Sequence, residues 1–134
     1  MARKNSNMKH AEACPCGSGE SFANCCRQYL SGQLPETAEQ LMRSRYTAFT
    51  LNAEDYLLET WYPETRPRSL DLSAQAPVKW IGLKVISHDN QTDSAEVEFI
   101  ARFKINGKAE KIHELSRFIK LDGRWFYVNG DNIH

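Results

Sequence analysis

Apolar and polar residues recur with helical spacing in the segment that follows Pro35. The pattern begins at Thr37, whose side chain suits the N-cap position, and Gln40 completes a capping box three residues later. We expect this helix to run to about Leu51. Its apolar stripe contains Ala38, Leu41, Met42, Ala48 and Phe49. Arg45 lies on the same stripe, so the pattern places a cation on the face that should be buried.

A second helical pattern starts after Asn52. Its apolar and aromatic positions are Tyr56, Leu57, Leu58 and Trp61. This helix should end near Tyr62, because Pro63 disfavours helical conformation in the residue that precedes it. Glycine and proline mark residues 28–36 as a linker, and the composition of residues 63–76 predicts a loop.

From residue 78 onward the pattern changes to that of strands. β-Branched and aromatic residues dominate the first of these segments, and the second alternates between apolar and polar side chains. Two dipeptides typical of two-residue hairpin turns, Asn106-Gly107 and Asp122-Gly123, separate the last three segments. The predicted strands cover residues 78–86, 96–105, 108–121 and 124–130.

The two turns predict which residues face each other across the sheet, since a two-residue loop sets the strand register. The first turn pairs Phe103 with Glu110, Ala101 with Ile112 and Phe99 with Glu114. The second pairs Phe118 with Tyr127, Ser116 with Asn129 and Glu114 with Asp131. The apolar face should therefore also carry Glu114, Ser116, Asn129 and Asp131, beside Trp125 and Tyr127. His113 falls on the opposite, half-exposed face with Ile100.

Two helices followed by a long antiparallel sheet predict an α+β fold, with the helices on the concave face of the sheet. This arrangement brings Arg45 towards Glu114 and Asp131. Charged side chains are seldom buried unless they are paired. We therefore expect Arg45 to lie between the two carboxylates.

The composition limits the size and the partners of the protein. The chain has 134 residues, of which 41% are hydrophobic, enough for one domain and a small appendage. Its 17 basic and 17 acidic side chains cancel, which argues against nucleic acid or an anionic membrane as the main partner. No segment is apolar for long enough to span a bilayer. The basic N-terminus is not followed by an apolar core, so we expect no secretory signal and a cytoplasmic location.

The chain's four cysteines are close together, at Cys14, Cys16, Cys25 and Cys26. Two close pairs joined by a short loop can converge on one ion, and four sulfurs suit a closed, structural zinc site. Gly17 and Gly19 permit the tight turns expected after the first pair. The alternative is a set of crossed disulfides, since a bridge within either close pair would be strained. Disulfides need an oxidising compartment, so a cytoplasmic location favours zinc.

The segment Cys14-Pro15-Cys16-Gly17-Ser18-Gly19, with Phe22 and Cys25-Cys26, resembles the SEC-C motif. This is the zinc module at the C-terminus of the SecA translocase and in many small bacterial proteins. The resemblance implies that the four cysteines bind one structural Zn²⁺ ion and that the module docks a protein or ribosomal partner. SEC-C modules usually carry lysines between the cysteine pairs, where this chain has Glu20, Ser21, Ala23 and Asn24. Nearby basic residues that could partly replace them are Arg3, Lys4, Lys9 and Arg27.

A second resemblance covers the rest of the chain. The motifs that carry it are Leu41-Met42-Arg43-Ser44-Arg45-Tyr46-Thr47-Ala48-Phe49, Thr60-Trp61-Tyr62-Pro63, His113-Glu114-x-Ser116-x-Phe118 and Trp125-x-Tyr127. They are similar to the bacterial YchJ-like family, whose members join a SEC-C motif to a nuclear transport factor 2-like (NTF2-like) domain, a cone of curved sheet closed by helices. The resemblance implies a zinc knuckle over residues 1–30 and an NTF2-like domain over residues 31–134. It implies a fold and a metal, but no reaction.

Two interpretations of the cone's interior stay open. In the first, Arg45 clamps a compact anion, for which its planar donor group is suited. The pocket would be lined by Arg45, Tyr46, Trp61, Glu114, Ser116, Tyr127, Asn129 and Asp131. In the second, the buried charges form an internal ion-pair network that fixes the packing of the helices on the sheet.

The leading functional hypothesis is a zinc-containing binding or adaptor protein. Its knuckle would dock a partner, and its cone would act as a scaffold or as a receptor for a small ligand. The rival is a small enzyme acting on a compact anionic substrate, with Arg45 as anion clamp and Glu114 or Asp131 as general base. The sequence shows no nucleophile–base pair or open metal site to support catalysis. Nucleic-acid binding is disfavoured by the zero net charge.

Overall fold

The computed structural model describes residues 12–75 and 77–133. Within these ranges the helices are α1 (Cys26–Leu30), α2 (Ala38–Thr50) and α3 (Glu54–Glu59), with 3₁₀ turns at Phe22–Asn24 and Leu72–Ala74. The strands are β1 (Val78–Asn90), β2 (Ser94–Ile105), β3 (Lys108–Leu121) and β4 (Arg124–Asn132). They form one antiparallel sheet in the order β1-β2-β3-β4. The predicted α+β fold is confirmed.

Helix α2 starts as the capping box predicts. The Thr37 hydroxyl accepts a hydrogen bond from the Gln40 backbone N–H at 3.1 Å, and the Gln40 side chain accepts one from the Thr37 N–H at 3.3 Å. The predicted apolar stripe is buried along most of its length, at Ala38, Leu41, Met42 and Ala48. Arg45 is only 6% exposed, so the cation on the stripe is buried with it.

The second helix ends earlier than predicted. Helix α3 stops at Glu59, because the next residues pair with β4 instead of continuing the helix. The Tyr62 N–H donates to the Tyr127 carbonyl at 2.7 Å, and the Tyr127 N–H donates to the Thr60 carbonyl at 2.9 Å. These bonds place Trp61 directly beside the strand. The predicted linker also begins later than expected, since α1 extends to Leu30.

The predicted register is confirmed for all three pairs between β2 and β3, and for Phe118 opposite Tyr127. Beyond Tyr127 it is wrong. A β-bulge at Val128 adds one residue to β4, so that Ser116 faces Gly130 and Arg117 faces Asn129. Every side chain of β4 after the bulge therefore lies on the face of the sheet opposite to the predicted one.

The bulge places Asn129 and Asp131 on the outer face of the sheet, contrary to the prediction. There Arg117 donates to the Asn129 side chain at 3.0 Å and forms an ion pair with Asp131. Asp131 thus has a counter-ion of its own, on the face away from the helices. Gly130 takes the inner position expected for a larger side chain.

The helices cover the inner face of the sheet, as predicted. The buried inner-face residues of the sheet are Ala95, Val97, Phe99, Ala101, Phe118 and Trp125, and they pack with Leu41, Met42 and Tyr46 of α2. His113 lies on the outer face opposite Ile100, where its Nε2 is 2.7 Å from a Glu98 carboxylate oxygen. In the described part of the chain, no helix combines the length and apolarity that a membrane crossing requires.

The loop after α3 is attached to the helix through Glu54. Its carboxylate accepts backbone hydrogen bonds from Leu72 at 3.0 Å and Leu70 at 3.1 Å, and a third from the Ser69 hydroxyl at 3.1 Å. These bonds, that from Leu72 above all, hold the pKa of Glu54 below its usual value.

We predict that this attachment is lost in acid. Because the pKa of Glu54 is lower in the folded state, its stabilisation is present above the pKa of a free glutamate, about 4.3, and is lost as the pH falls below it. The amide shifts of Leu70 and Leu72, followed by NMR from neutral to acid pH, should titrate with Glu54. The Glu54→Gln variant should abolish that titration, and Glu64→Gln should not. An unchanged titration in Glu54→Gln would contradict the assignment.

Candidate metal centre and binding cavity

The N-terminal residues fold into a small knuckle, defined here as residues 12–30. An antiparallel bridge between Ala13 and Ser21 closes its first loop, and the Cys14 N–H donates to the Glu20 carbonyl at 2.9 Å. This closure returns the chain to the first cysteine pair just before the second pair. The sulfur atoms of Cys14, Cys16, Cys25 and Cys26 all lie within 4.8 Å of one another.

The spacing of the sulfur atoms suits one tetrahedral metal ion. Zinc–sulfur bonds of about 2.3 Å place the sulfurs of a tetrahedron roughly 3.8 Å apart. The Sγ atoms of Cys16 and Cys25 are 3.7 Å apart, and those of Cys25 and Cys26 are 4.0 Å apart. All four cysteines are free thiols, and these separations are far longer than a disulfide bond. The donor set and its geometry therefore fit metal binding.

The turn after the first cysteine pair requires glycine. Gly17 and Gly19 both have positive φ angles, of 77° and 91°, as their predicted role in tight turns requires. A side chain at Gly17 would also place its Cβ 3.1 Å from the Leu83 carbonyl oxygen of β1. The knuckle therefore lies against the sheet with little space between them.

The cysteines influence one another's protonation. A hydrogen bond from the Cys26 thiol lowers the pKa of Cys16, and the same contact, with burial, raises the pKa of Cys26. The Ser18 hydroxyl lies 3.2 Å from Cys25 Sγ. Binding of a cation must displace the remaining thiol protons, because thiolates are the metal ligands.

The knuckle shares its core with the rest of the chain. Cys14, Cys16 and Cys26 are buried in one cluster with residues of α2 and the sheet. Arg43 donates to the Cys16 carbonyl at 2.7 Å, and the Thr47 hydroxyl lies 3.8 Å from Cys14 Sγ. The basic tail predicted to flank the knuckle, with Arg3, Lys4 and Lys9, lies outside the described residues.

A cavity of about 210 Å³ lies between α2 and the inner face of the sheet. Six of the eight predicted pocket residues line it: Arg45, Tyr46, Trp61, Glu114, Ser116 and Tyr127. Asn129 and Asp131 do not, because the bulge turns them outward. The other lining residues are apolar or aromatic: Met42, Phe49, Trp80, Phe99, Ala101, Ile112 and Phe118. The cavity is therefore largely apolar, with one cation and one carboxylate in its wall.

Arg45 is held without a carboxylate partner, so the predicted pairing with Glu114 and Asp131 is wrong. Its Nη1 donates to the Leu57 carbonyl and the Thr60 hydroxyl, both at 2.7 Å. Among residues 12–75 and 77–133, no carboxylate oxygen lies within 4.0 Å of an Arg45 nitrogen, and Nε and Nη2 make no hydrogen bond. Burial lowers the pKa of Arg45 to about 10, which leaves it charged near neutral pH.

Two aromatic rings replace the missing counter-ion in part. The guanidinium carbon of Arg45 lies 4.4 Å from the ring centre of Tyr127 and 5.1 Å from that of Trp61. The two rings meet edge to face, 4.9 Å apart. The indole Nε1 of Trp61 is buried and has no hydrogen-bond partner in the described part of the chain. This wall of the cavity therefore presents a cation and contains a buried N–H donor without a partner.

Glu114 provides the cavity's negative charge. Its carboxylate accepts a hydrogen bond from the Ser116 hydroxyl at 2.6 Å. Burial, together with the nearby Glu114 charge, raises the pKa of Tyr127 to about 12. Tyr127 is thus in reach of both charges, with Arg45 at its ring face and Glu114 close enough to affect its ionisation.

Thr60 and Gly130 position the two charged residues of the cavity, Arg45 and Glu114, and were not among the predicted site residues. Thr60 is 3% exposed, and its hydroxyl holds Arg45 while itself donating to the Tyr56 carbonyl at 2.7 Å. Nothing in the helical pattern distinguishes it from an exposed threonine. Gly130 carried a usable signal, since a glycine inside a strand often marks a bulge or a close approach.

Comparison with known proteins supports both parts of the chain. Residues 37–130 match the family model described as "YchJ, middle NTF2-like domain", and residues 11–28 match the SEC-C motif. A UPF0225 protein of Chromobacterium violaceum is 54% identical over 124 residues, which cover 88% of this chain and 91% of that protein. A UPF0225 protein of Bordetella parapertussis is 50% identical over 124 residues, covering 89% and 92%.

Two solved structures share the fold. The solution structure of a SEC-C motif containing protein from Rhodopseudomonas palustris gives a TM-score of 0.83 at 34% identity, over 90% of this chain and 98% of that one. The crystal structure of a SEC-C motif containing protein from Psychrobacter arcticus gives 0.71 at 29% identity, over 91% and 84%. The arrangement of knuckle, helices and sheet is thus found in experimental structures.

We predict that removing the metal destabilises the whole chain, because the cysteines belong to the shared core. A chelator added to reduced, metal-loaded protein should lower its melting temperature by about 10 °C or more, in one transition. Near-ultraviolet circular dichroism of the tryptophans in the cone would follow this unfolding transition. Readdition of the metal should restore the original temperature. An unchanged melting temperature of the cone after metal removal would contradict the conclusion that the knuckle and the cone share one core.

Proposed function

We propose, from the premise that this chain belongs to the UPF0225 family of YchJ-like proteins, that it is a zinc-stabilised binding protein whose cone receives a compact anionic molecule. Family membership confirms the resemblance seen in the sequence motifs. It identifies the SEC-C knuckle and the NTF2-like cone but does not identify a ligand. The assignment of zinc and of an anion therefore depends on the chemistry of the two sites.

Zinc is the proposed metal because all four ligands are cysteine sulfurs. Thiolates are soft ligands that select zinc over magnesium, calcium or manganese, and a tetrahedral four-sulfur set is typical of structural zinc. Four protein ligands leave no open position for a substrate. When bound, the ion would link the two cysteine pairs and so hold the knuckle against α2.

The observation that supports an anion is the buried Arg45 guanidinium. A charge removed from water without a counter-ion is strongly unfavourable, even where rings and carbonyls compensate in part. A carboxylate or phosphate in the cavity would accept hydrogen bonds from Nε and Nη2, which the described residues leave unused. Anion binding thus completes the hydrogen bonding of this guanidinium.

A small enzyme is the second candidate, supported by the Glu114 carboxylate in the same cavity. Arg45 would clamp an anionic substrate, and Glu114 would act as general base. Asp131 has no part in it, because it lies on the outer face. We prefer a receptor, since no histidine, cysteine or lysine is among the described residues that line the cavity.

Docking of a protein or ribosomal partner through the knuckle is a further part of the proposal. Glu20, Ala23, Asn24 and Arg27 are exposed there, so a partner could reach them. Their mixed charge favours a polar protein surface over nucleic acid.

The zinc proposal predicts about one equivalent of zinc per chain in protein purified under reducing conditions without added metal. Elemental analysis would measure it. Cys26→Ser should lose most of the zinc, because three sulfurs do not close the site. Ser18→Ala, beside the cluster but outside the ligand set, should retain it. A stoichiometric amount of iron or no metal at all would overturn the proposal.

The anion proposal predicts that 4-methylpentanoate binds in the cone with a millimolar or lower Kd. An NMR titration should shift the resonances of Tyr46, Trp61 and Tyr127. Arg45→Gln should weaken binding by about tenfold or more, since a charge-assisted hydrogen bond contributes about 1.5–3 kcal/mol. Arg102→Gln, on the exposed outer face, is the matched control.

Should Arg45→Gln unfold, Trp61→Phe tests the same wall by removing the indole N–H and part of the ring that packs on Arg45, and it should weaken binding severalfold. Absence of any titration shift in the wild-type cone, with this anion and with other carboxylates of similar size, would refute the anion receptor.

A further inference from the structure

The cavity holds two opposite charges that do not pair with each other. Arg45 and Glu114 both line it, yet no Arg45 nitrogen comes within 4.0 Å of a Glu114 oxygen. Opposite charges at one largely apolar cavity attract each other, and Arg45 is buried while Glu114 is half-buried. Each is instead held by its own neighbours, Arg45 by α3 and Glu114 by Ser116. The two charges are therefore kept apart by the fold.

The position of Glu114 depends on the bulge in β4. The bulge brings Gly130 to the inner face, opposite Ser116. A Cβ at Gly130 would lie 2.1 Å from Glu114 Oε2 and 2.6 Å from its carboxylate carbon. The Glu114 carboxylate thus occupies the space where another residue would place its side chain. The bulge and the glycine together hold this carboxylate at the cavity wall.

We infer that the cavity takes a small zwitterion of the amino-acid class, with its carboxylate on Arg45, its ammonium group on Glu114 and an apolar side chain against the aromatic walls. This inference rests on the proposed function: it keeps a carboxylate as the anionic group on Arg45 and adds an ammonium group to the ligand. A simple monoanion would satisfy Arg45 but be repelled by Glu114. A zwitterion pairs the buried Arg45 and the half-buried Glu114 and leaves the filled cavity electrically balanced.

The size of the cavity limits the ligand to a small amino acid. A dry cavity of about 150 Å³ holds one benzene molecule, so 210 Å³ holds about eight or nine non-hydrogen atoms by proportion. Leucine, with about nine such atoms, meets this limit and carries a branched apolar side chain. The aromatic and aliphatic lining offers that side chain an apolar surface on several sides.

The test compares three probes that differ only in their charged groups. L-leucine carries both, 4-methylpentanoate lacks the amine, and 3-methylbutylamine lacks the carboxylate. We expect full-length, zinc-loaded protein to bind L-leucine at least tenfold more tightly than either analogue, by NMR titration or calorimetry. Equal affinity for L-leucine and 4-methylpentanoate would overturn the inference while leaving the anion receptor standing. No binding of any probe at about 10 mM would overturn both.

Glu114→Gln tests the role assigned to the carboxylate. The variant should weaken the binding of L-leucine at least tenfold. It should leave the binding of 4-methylpentanoate unchanged or make it tighter, because the repulsion between the two carboxylates is removed. Glu110→Gln, on the same face of β3 but exposed, is the matched control and should change neither. Retention of the full leucine preference in Glu114→Gln would overturn the inference.

Gly130→Ala tests the same carboxylate without changing any charge. The added methyl group meets the end of the flexible Glu114 side chain, so the protein should fold and the carboxylate should move. The preference for L-leucine over 4-methylpentanoate should fall at least threefold, whereas binding of 4-methylpentanoate should persist. An unchanged preference in a variant whose Glu114 resonances have shifted would count against the inference.

Discussion

Burial of the Arg45 guanidinium is the interaction on which the arrangement of the cone depends. A cation without a counter-ion needs aligned dipoles and ring faces, and Arg45 obtains them from two separate parts of the chain, residues 57–61 and Tyr127. The Leu57 carbonyl belongs to the last turn of α3, where helix carbonyls lack intrahelical partners and favour positive charge. The ring of Tyr127 comes from β4. Arg45 therefore holds α2, the end of α3 and the last strand in one fixed relation.

The segment that leaves α3 gains its structure from the same contact. Trp61 packs on Arg45 and on Tyr127, and the backbone on either side of it bonds to β4. A longer α3 would satisfy the same backbone groups within the helix, but it would remove Trp61 from the guanidinium. The early end of α3 is thus a tertiary effect, and a local reading of Pro63 places the stop too late by three residues.

Features determined by neighbouring residues could be predicted from the sequence. The capping box at Thr37 and the two hairpin turns depend on short-range hydrogen bonds and on residues that tolerate positive φ, as Asn106 and Gly107 do at 53° and 78°. The cysteine cluster was predictable for a similar reason. Its loop is short enough that spacing alone brings the sulfurs together.

The bulge at Val128 could not be read from the alternation of residues. After Val128 the strand continues with Asn129, Gly130 and Asp131, which have no strong preference for either face, so the pattern specifies the register weakly there. The register is instead set by the ion pair between Arg117 and Asp131 and by the close fit of Glu114 over Gly130, and both contacts depend on β3. One inserted residue therefore removed Asn129 and Asp131 from the predicted site and placed Gly130 opposite Ser116 and Asn132 opposite Glu114 instead.

Helix α2 connects the metal centre to the cavity through consecutive residues. Successive side chains on a helix point about 100° apart, so a run of five covers its whole circumference. Here Arg43 and Thr47 contact the knuckle, Ser44 contacts α3 through the Tyr56 hydroxyl, and Arg45 and Tyr46 line the cavity. The helix has no free side along this run, so it cannot shift against the sulfur cluster without also moving the cavity wall. This explains why a helix with only moderate apolar content is buried along one continuous stretch, and why charged and hydroxyl side chains occupy positions that apolar residues usually fill.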